Sequence, residues 1–486
     1  MVTIRGLLSR RTTHSAWREL AWLSLLVLLA FGLRAWHLDF QSLWRDETDA
    51  IRFSQAPLTE LLDNLTRAGW NGPLYFILLR GWLALAGESE FAVRYSSLIF
   101  GTLAVPLTWL VGRRMINRVT GATGAALVAL SPYLVWYAQE LKMYALVLTL
   151  GLLSTYLYLR ALDEGRWQWW IGHVVTTSLM MYTHILAVLI LLPQALWYVV
   201  GWQRYRPRWR SWLADMAALT LPYLPLAVWQ VPVLLSDFQT GHPFYPLNDM
   251  VQILFLAFSR GVATPWKPIS MGVFLLLLLS GMVLRAKNGY RGVPALALWL
   301  AAPVLVVYLI SLGMPIFTDR YLIYVAPAYA LILARGLVAI GQRWRLAQAL
   351  IAALLVFSLA QSWWTQVNYP IKSDFRGAAR LLTEGHQPGD LLIFQIPYGR
   401  YTFEYYYHRP FEGDEGLYTN HGLSEAEADR QMRAVTAGRR TVWLIGSEME
   451  MWDQRHLVLQ WLQAHGQQTQ EAGFARVTVW RFEMEE

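Results

Sequence analysis

Apolar runs of about the length of a bilayer crossing, separated by short polar breaks, fill the first three quarters of the chain. A helix needs about 20 mostly apolar residues to span the hydrocarbon core, and fewer inside a bundle. On that measure the pattern predicts eleven spans, at 20–38, 95–112, 122–138, 143–159, 169–183, 185–202, 211–235, 269–284, 293–313, 321–341 and 346–364. The stretch 73–87 is apolar too. It is expected to lie as a helix in the outer interface, with Arg80 and Trp82 at headgroup level, because counting it as a span would invert every later loop. From about residue 366 the pattern changes. Short apolar runs at 391–396, 441–446 and 476–482 predict strands, 373–385 and 452–465 predict helices, and Gln387–Asp390 predicts a turn. The expected architecture is mainly α: a polytopic transmembrane helical bundle over 1–365, with interfacial helices in a first outer loop at 39–94, followed by a small α/β domain over 366–486.

Composition agrees with this pattern. Of 486 residues, 55% are hydrophobic and 15% charged, where a soluble chain carries about 25% charged residues. A disordered chain and an ordinary cytosolic enzyme are excluded. Cysteine is absent, which removes disulfides, thiolate metal sites and a cysteine nucleophile. The net charge of +8 resembles a polyanion-binding signal until the charges are located. The loops 1–19, 113–121, 160–168, 203–210 and 285–292, with the region Arg335–Arg345, hold 19 Lys/Arg against Glu19, Asp163 and Glu164. The alternate loops hold 9 basic and 12 acidic residues. The positive-inside rule places the first set and the N-terminus in the cytoplasm of a plasma membrane, and an odd number of spans puts the C-terminal domain outside. The charge reports orientation in the bilayer, and no nucleic-acid partner is expected.

Ionisable groups near a membrane are costly, so those gathered on one side are candidates for chemistry. Asp46 and Glu47 follow Trp44-Arg45 just beyond the first span and suit general-base work or cation binding; the bland alternative is a solvated loop. Glu140 and Lys142 lie in the turn after Trp136-Tyr137. Interfacial anchoring explains the aromatics there but not Glu140. Arg320, preceded by Asp319, can grip phosphate with a bidentate fork or form a structural ion pair. His184 is a candidate for contact with phosphate, acceptor or metal, against the reading of a packed histidine. Trp44, Trp70, Trp136 and Tyr137 could stack on sugar faces. Arg34, late in the first span, reads as snorkelling outward or pairing with an acid of the first outer loop. The segment Tyr398–Pro410 is aromatic and could cover the mouth of a site or recognise an acceptor, against the favoured reading of an aromatic strand and loop packed on the membrane.

Taken in order, Trp44-Arg45-Asp46-Glu47, Gly72-Pro73-Leu74-Tyr75, Glu90-Phe91-Ala92-Val93-Arg94-Tyr95, Ser131-Pro132, Gln139-Glu140-Leu141-Lys142-Met143-Tyr144 and Asp319-Arg320-Tyr321-Leu322 resemble a known family. The chain is similar over roughly 20–340 to GT-C superfamily membrane glycosyltransferases of the protein mannosyltransferase and aminoarabinose transferase type (glycosyltransferase family 39-like). The resemblance implies a polyprenyl-phosphate-linked sugar donor, an acceptor hydroxyl on a protein, glycan or lipid, and work on the extracytoplasmic side. It matches Asp46 to the catalytic acid position, Glu47 to its usual neighbour and Glu140 to the second acidic position. Arg320, with Tyr321, falls where the lipid phosphate is expected. Aminoarabinose transferases carry a Lys before Pro-Pro-Leu where this chain has Asn71-Gly72-Pro73; Lys142 or Arg94 are candidates to replace it, and Asn71, Tyr137 and His184 to contact sugar, acceptor or metal. A divalent cation (Mg, Mn or Zn) is compatible with such a site, and no nucleotide cofactor is expected. The alternative from another class is a lipid or glycan transporter or flippase. It predicts repeated halves and charges at the membrane midplane, and neither pattern is visible in the sequence.

Overall fold

The computed structural model describes residues 4–65, 71–234, 236, 240–262, 267–284 and 292–485. Trp70 and the basic loop residues 285–291 lie outside the described residues. By Cα proximity the chain forms two compact units, Met1–Leu38 with Ala56–Gln366, and Asp39–Gln55 with Val367–Glu486.

The regular structure of the first unit is all helical among the described residues, and each of the eleven apolar segments lies largely in helix. Six described helices are long and apolar enough to cross a membrane: Glu90–Met115, Tyr144–Glu164, Trp202–Val228, Val293–Ser311, Asp319–Gly341 and Arg345–Asn368. Arg118–Leu130 and Pro132–Ala138 make a seventh if the pair, bent by 58°, is one span. The stretch 73–87 forms a helix at Leu74–Ala86. The helix Ala326–Gly341 is buried along nearly its whole length. It crosses Pro268–Val283 through glycines, since a Cβ on Gly281 would stand 2.1 Å from the Ile332 carbonyl oxygen and one on Gly336 2.2 Å from that of Leu277. Without a hydrophobic driving force between helices in lipid, such small residues let backbones approach and dispersion contacts hold the crossing.

Buried arginines complete this bundle at helix ends. Pro132 has no N–H to offer the Val128 carbonyl one turn back. Arg34 supplies the donors: its guanidinium reaches the Val128 oxygen at 3.0 Å and the Ala129 and Ala30 oxygens at 3.1 Å. Arg34 therefore neither snorkels nor pairs with a loop acid; it caps the broken helix from within the bundle. Arg335, counted above with the loop charges, is buried as well and donates to the carbonyls of Gly281 and Leu284 at the end of Pro268–Val283. A polar seam ties further helices together. The two ring nitrogens of His173 lie 2.9 Å from Asp215 Oδ2 and 3.0 Å from Gln194 Oε1, and Gln194 Nε2 donates to Ser154 Oγ at 3.1 Å.

In the second unit a five-stranded sheet has the order β2-β1-β3-β5-β4, with β1 Leu391–Phe394, β2 Glu412–Glu415, β3 Thr441–Gly446, β4 Gly466–Phe474 and β5 Val477–Met484. Strand β1 runs parallel to β2 and β3, and β5 antiparallel to β3 and β4. The three inner strands are the three apolar runs of the sequence. Both edges, EGDE and GQQTQEAGF, are polar and were not anticipated; edge strands need only one neighbour, and polar residues discourage a stray second one. Helices Phe375–Gly385 and Leu457–His465 match expectation, the first capped by Asp374 accepting from Gly377 N at 3.0 Å. The aromatic segment expected as strand and loop is a helix at Gly399–Tyr406.

Candidate functional site

In the first unit, four connections bring their polar side chains together. Tyr133 and Tyr137 are one turn apart on Pro132–Ala138 and so share a face. Tyr133 Oη donates to the Asp319 carbonyl at 3.0 Å and Tyr137 Oη to Asp319 Oδ2 at 3.2 Å, fixing the start of the buried span to this short helix. Gln139 ends the helix and donates through Nε2 to the carbonyls of Arg34 (2.9 Å) and Trp36 (2.8 Å), so the turn 139–143 is held to the end of the first helix. Within that turn Glu140 is buried, Lys142 is half-buried, and the Lys142 N–H donates to the Glu140 carbonyl at 2.9 Å. Tyr144 follows, with the Arg320 guanidinium 5.7 Å from its ring centroid, within cation–π range.

His184 closes the group. Its ring lies 4.8 Å from that of Tyr321 and 6.2 Å from that of Tyr144, while His242 approaches Tyr321 at 6.0 Å. Among the described residues neither ring nitrogen of His184 has a hydrogen-bond partner, although the side chain is buried. Burial, with Arg320 beside it, pushes the imidazole down to about 3, so near neutral pH it is uncharged and presents one donor and one acceptor. Asn71 is held near this strip through its neighbours. Leu74 N donates to the Tyr182 carbonyl at 3.0 Å, and Gly72 passes so close that a Cβ would stand 2.1 Å from the same oxygen. Arg94 is fully buried and donates to the Leu38 carbonyl at 3.0 Å.

The second unit carries the Trp44-Arg45-Asp46-Glu47 segment. Asp46 and Glu47 occupy the first turn of the helix Arg45–Gln55, where the helix dipole favours negative charge. The two carboxylates are not equivalent. Glu47 is fully buried and paired with Lys372 Nζ at 2.9 Å. The Asp46 side chain is 16% exposed, with Arg45 Nε at 3.7 Å. The segment is pinned on several sides. Tyr406 Oη accepts from Leu43 N at 2.6 Å, Thr48 and Thr402 hydroxyls lie 3.0 Å apart, and Arg45 stacks 4.1 Å over Tyr398. Gln41 Nε2 donates to the Tyr369 carbonyl at 2.7 Å, and its Oε1 accepts from Ile371 N at 2.9 Å. The aromatic helix Gly399–Tyr406 thus serves as a platform for residues 42–52.

Residues 71–229 match the family described as dolichyl-phosphate-mannose-protein mannosyltransferase. Over nearly the whole chain the fold matches ArnT from Cupriavidus metallidurans bound to undecaprenyl phosphate, at TM-score 0.57 and 12% identity, covering 95% of this chain and 98% of that one. The oligosaccharyltransferase of Archaeoglobus fulgidus in its apo form matches at TM-score 0.59 and 12% identity, over 91% of this chain and 71% of that one. The mycobacterial arabinofuranosyltransferase AftD matches at TM-score 0.50 and 14% identity, over 95% of this chain and 41% of that one. A comparison with curated protein sequences finds no match. The chain has the GT-C glycosyltransferase fold. Its family match and these structural neighbours are all glycosyltransferases.

Among the described residues a metal site does not assemble from the anticipated residues. Among the described residues no three His, Asp or Glu side chains stand close enough to hold an ion, and Glu47 is committed to Lys372. Sequence reasoning passed over His242 and the anchoring tyrosines 133 and 144. His242 stands alone in a Pro- and aromatic-rich connection with no acid beside it; Tyr133 and Tyr144 were hidden because aromatics at that depth read as interface anchors.

Proposed function

We propose that this GT-C protein transfers a sugar from a polyprenyl-phosphate-linked donor to an acceptor hydroxyl at the extracytoplasmic face of the membrane, with inversion at the anomeric carbon. The observation that carries the reading is Arg320 over Tyr144, beside a neutral, unpartnered His184, in a chain whose residues 71–229 match a dolichyl-phosphate-mannose-dependent family. In this reading Asp46, the less buried of the paired acids, takes the acceptor proton as the acceptor oxygen attacks the anomeric carbon. The bond from that carbon to the phosphate oxygen breaks on the opposite face, and polyprenyl phosphate leaves as an anion. Arg320, with Lys142 and Tyr321, stabilises the charge on the leaving phosphate. Glu140, Tyr137, Asn71 and the two free nitrogens of His184 orient sugar or acceptor hydroxyls. Arg94 supports the site through the backbone at Leu38, and Glu47 holds the helix that carries Asp46.

Support for a lipid-phosphate donor comes from the solved relatives, since the ArnT structure contains undecaprenyl phosphate and that of the archaeal enzyme AglB contains dolichol-phosphate. The test is transfer of radiolabelled sugar from polyprenyl-phosphate donors by the purified protein, comparing wild type with Asp46→Asn. Removing such a charged group costs about 10²–10³ in rate, so the variant should be nearly inactive with an unchanged thermal midpoint. Full activity in Asp46→Asn would refute the base. Vectorial movement of the lipid without any glycoside product would favour the transporter.

A further inference from the structure

The C-terminal unit holds a cavity that the transfer reaction does not use. It measures about 580 Å³ and sits where β3 ends and β5 begins, lined by Gly446, Glu448, His456, Arg476, Thr478 and Trp480, with Met449, Met451 and Leu459 supplying apolar wall. The volume lies within the ~300–1,000 Å³ of small-ligand sites. The position is the carboxyl end of a strand in an open α/β sheet, where ligands are ordinarily bound.

The backbone around it is strained in a particular way. Among the described residues four non-glycine residues have positive φ, and three of them line this cavity: Glu448 at 52°, His456 at 53° and Arg476 at 53°. Glycine or asparagine would take these positions more easily, at the starts of two helical turns and in the β4–β5 hairpin. Instead, long polar side chains stand there and border one space. Strain gathered in this manner is a mark of a site whose side chains matter more than local stability. Within the space Arg476 Nη2 pairs with Glu448 Oε1 at 2.7 Å, and His456 Nδ1 is buried without a partner.

We infer that this cavity binds a neutral saccharide. A sugar ring presents an apolar C–H face and a rim of paired hydroxyls. The Trp480 ring and methionines meet the first; the planar carboxylate and guanidinium of Glu448 and Arg476, with Glu450, His456 and Thr478, meet the second. The charge balance opposes an anion, because Arg476 is the sole Lys or Arg in the lining and faces two carboxylates. An apolar wall and the absence of a three-ligand group among the described residues oppose a metal ion. Gly446 sets the floor: a Cβ there would stand 2.3 Å from Met449 Sδ and 2.9 Å from the Trp480 ring. Retention of a glycan acceptor or product by this site rests on the transfer reading; saccharide binding itself does not.

The experiment is saturation-transfer-difference NMR on the full-length protein in a detergent without a sugar headgroup, probed with mannobiose, cellobiose and maltose, and with inorganic phosphate as the charged control. Glu448→Gly, Arg476→Gly and His456→Asn each remove a lining side chain while easing the backbone. The expected result is saturation of one ring face of at least one disaccharide, reduced at least fivefold in the variants, whose thermal midpoints stay equal to or above wild type. Asp46→Asn should keep the signal, which separates this site from the transfer reaction. Lack of any sugar signal, a signal unchanged in all three variants, or binding of phosphate alone would overturn the inference. Lower thermal midpoints in all three variants would also overturn it, by making the side chains structural.

Discussion

Glu47 and Lys372 offer the sharpest test of how the helix Arg45–Gln55 is held. Their charged groups are 2.9 Å apart, with side chains 0% and 5% exposed. At an effective dielectric of about 20 the Coulomb attraction is about 6 kcal/mol, and desolvation of the two ions offsets most of it. The pair as a whole therefore contributes little net stability, yet losing one partner strands the other in a buried site at a cost of about 3–5 kcal/mol. Glu47→Gln and Lys372→Met should each lower the thermal midpoint of the purified protein by about 10 °C, taking about 3 °C per kcal/mol for a unit of this size. The double variant should return to within about 1 kcal/mol of wild type, because neither charge remains. Transfer activity should follow the same cycle: lost in the singles as the helix carrying Asp46 loosens, regained in the double. Additive destabilisation would refute the buried-pair argument. A stable but inactive double variant would instead return Glu47 to the chemistry.

Three further outcomes follow from other contacts. Arg34→Met keeps the side-chain volume but removes the donors that reach two carbonyl oxygens at the break before Pro132, those of Val128 and Ala129; the lost charge-assisted bonds, less the recovered desolvation of the guanidinium, should cost about 2–4 kcal/mol in thermal unfolding, and a neutral result would remove the capping role. Arg320→Ala should reduce transfer by about 10²–10³, and Arg320→Lys should restore only part of it because the fork is missing; equal activity of Lys and Arg variants would reduce the contact to a point charge. Burial holds the His386 imidazole below its ordinary range, with Tyr407 Oη 2.7 Å from its Nδ1. A depressed histidine contributes stability that is present above its unfolded pKa of about 6.5 and lost as pH falls through the lower folded value. The thermal midpoint should therefore drop between pH 7.5 and 5.5, and by less in His386→Gln; identical profiles would exclude this group.

What the sequence could reveal was governed by periodicity and by sign of charge. The apolar segments and the three inner strands were legible because each repeats one physical demand, burial, over many residues. The edge strands at 412–415 and 466–474 were not, because a strand with one neighbour and two wet faces carries neither alternation nor apolarity. The buried arginines were misread for a deeper reason. Position in an apolar run predicts snorkelling, whereas the need Arg34 serves is created by a proline 98 residues further on, which leaves a carbonyl without its donor. The candidate site shows the same division. Asp46 and Glu47 look alike in sequence, and only the fold separates them: Glu47 is fully buried against the distant Lys372 at 2.9 Å, while the Asp46 side chain stays 16% exposed beside Arg45. Likewise, His184 stands out not by its neighbours in sequence but by two buried nitrogens that the fold leaves for something else to satisfy. In a membrane bundle, where an unpaired polar group is costly, an unmet hydrogen bond is a stronger pointer to substrate than a conspicuous charge, because conspicuous charges are the ones the fold most readily consumes as caps and pairs.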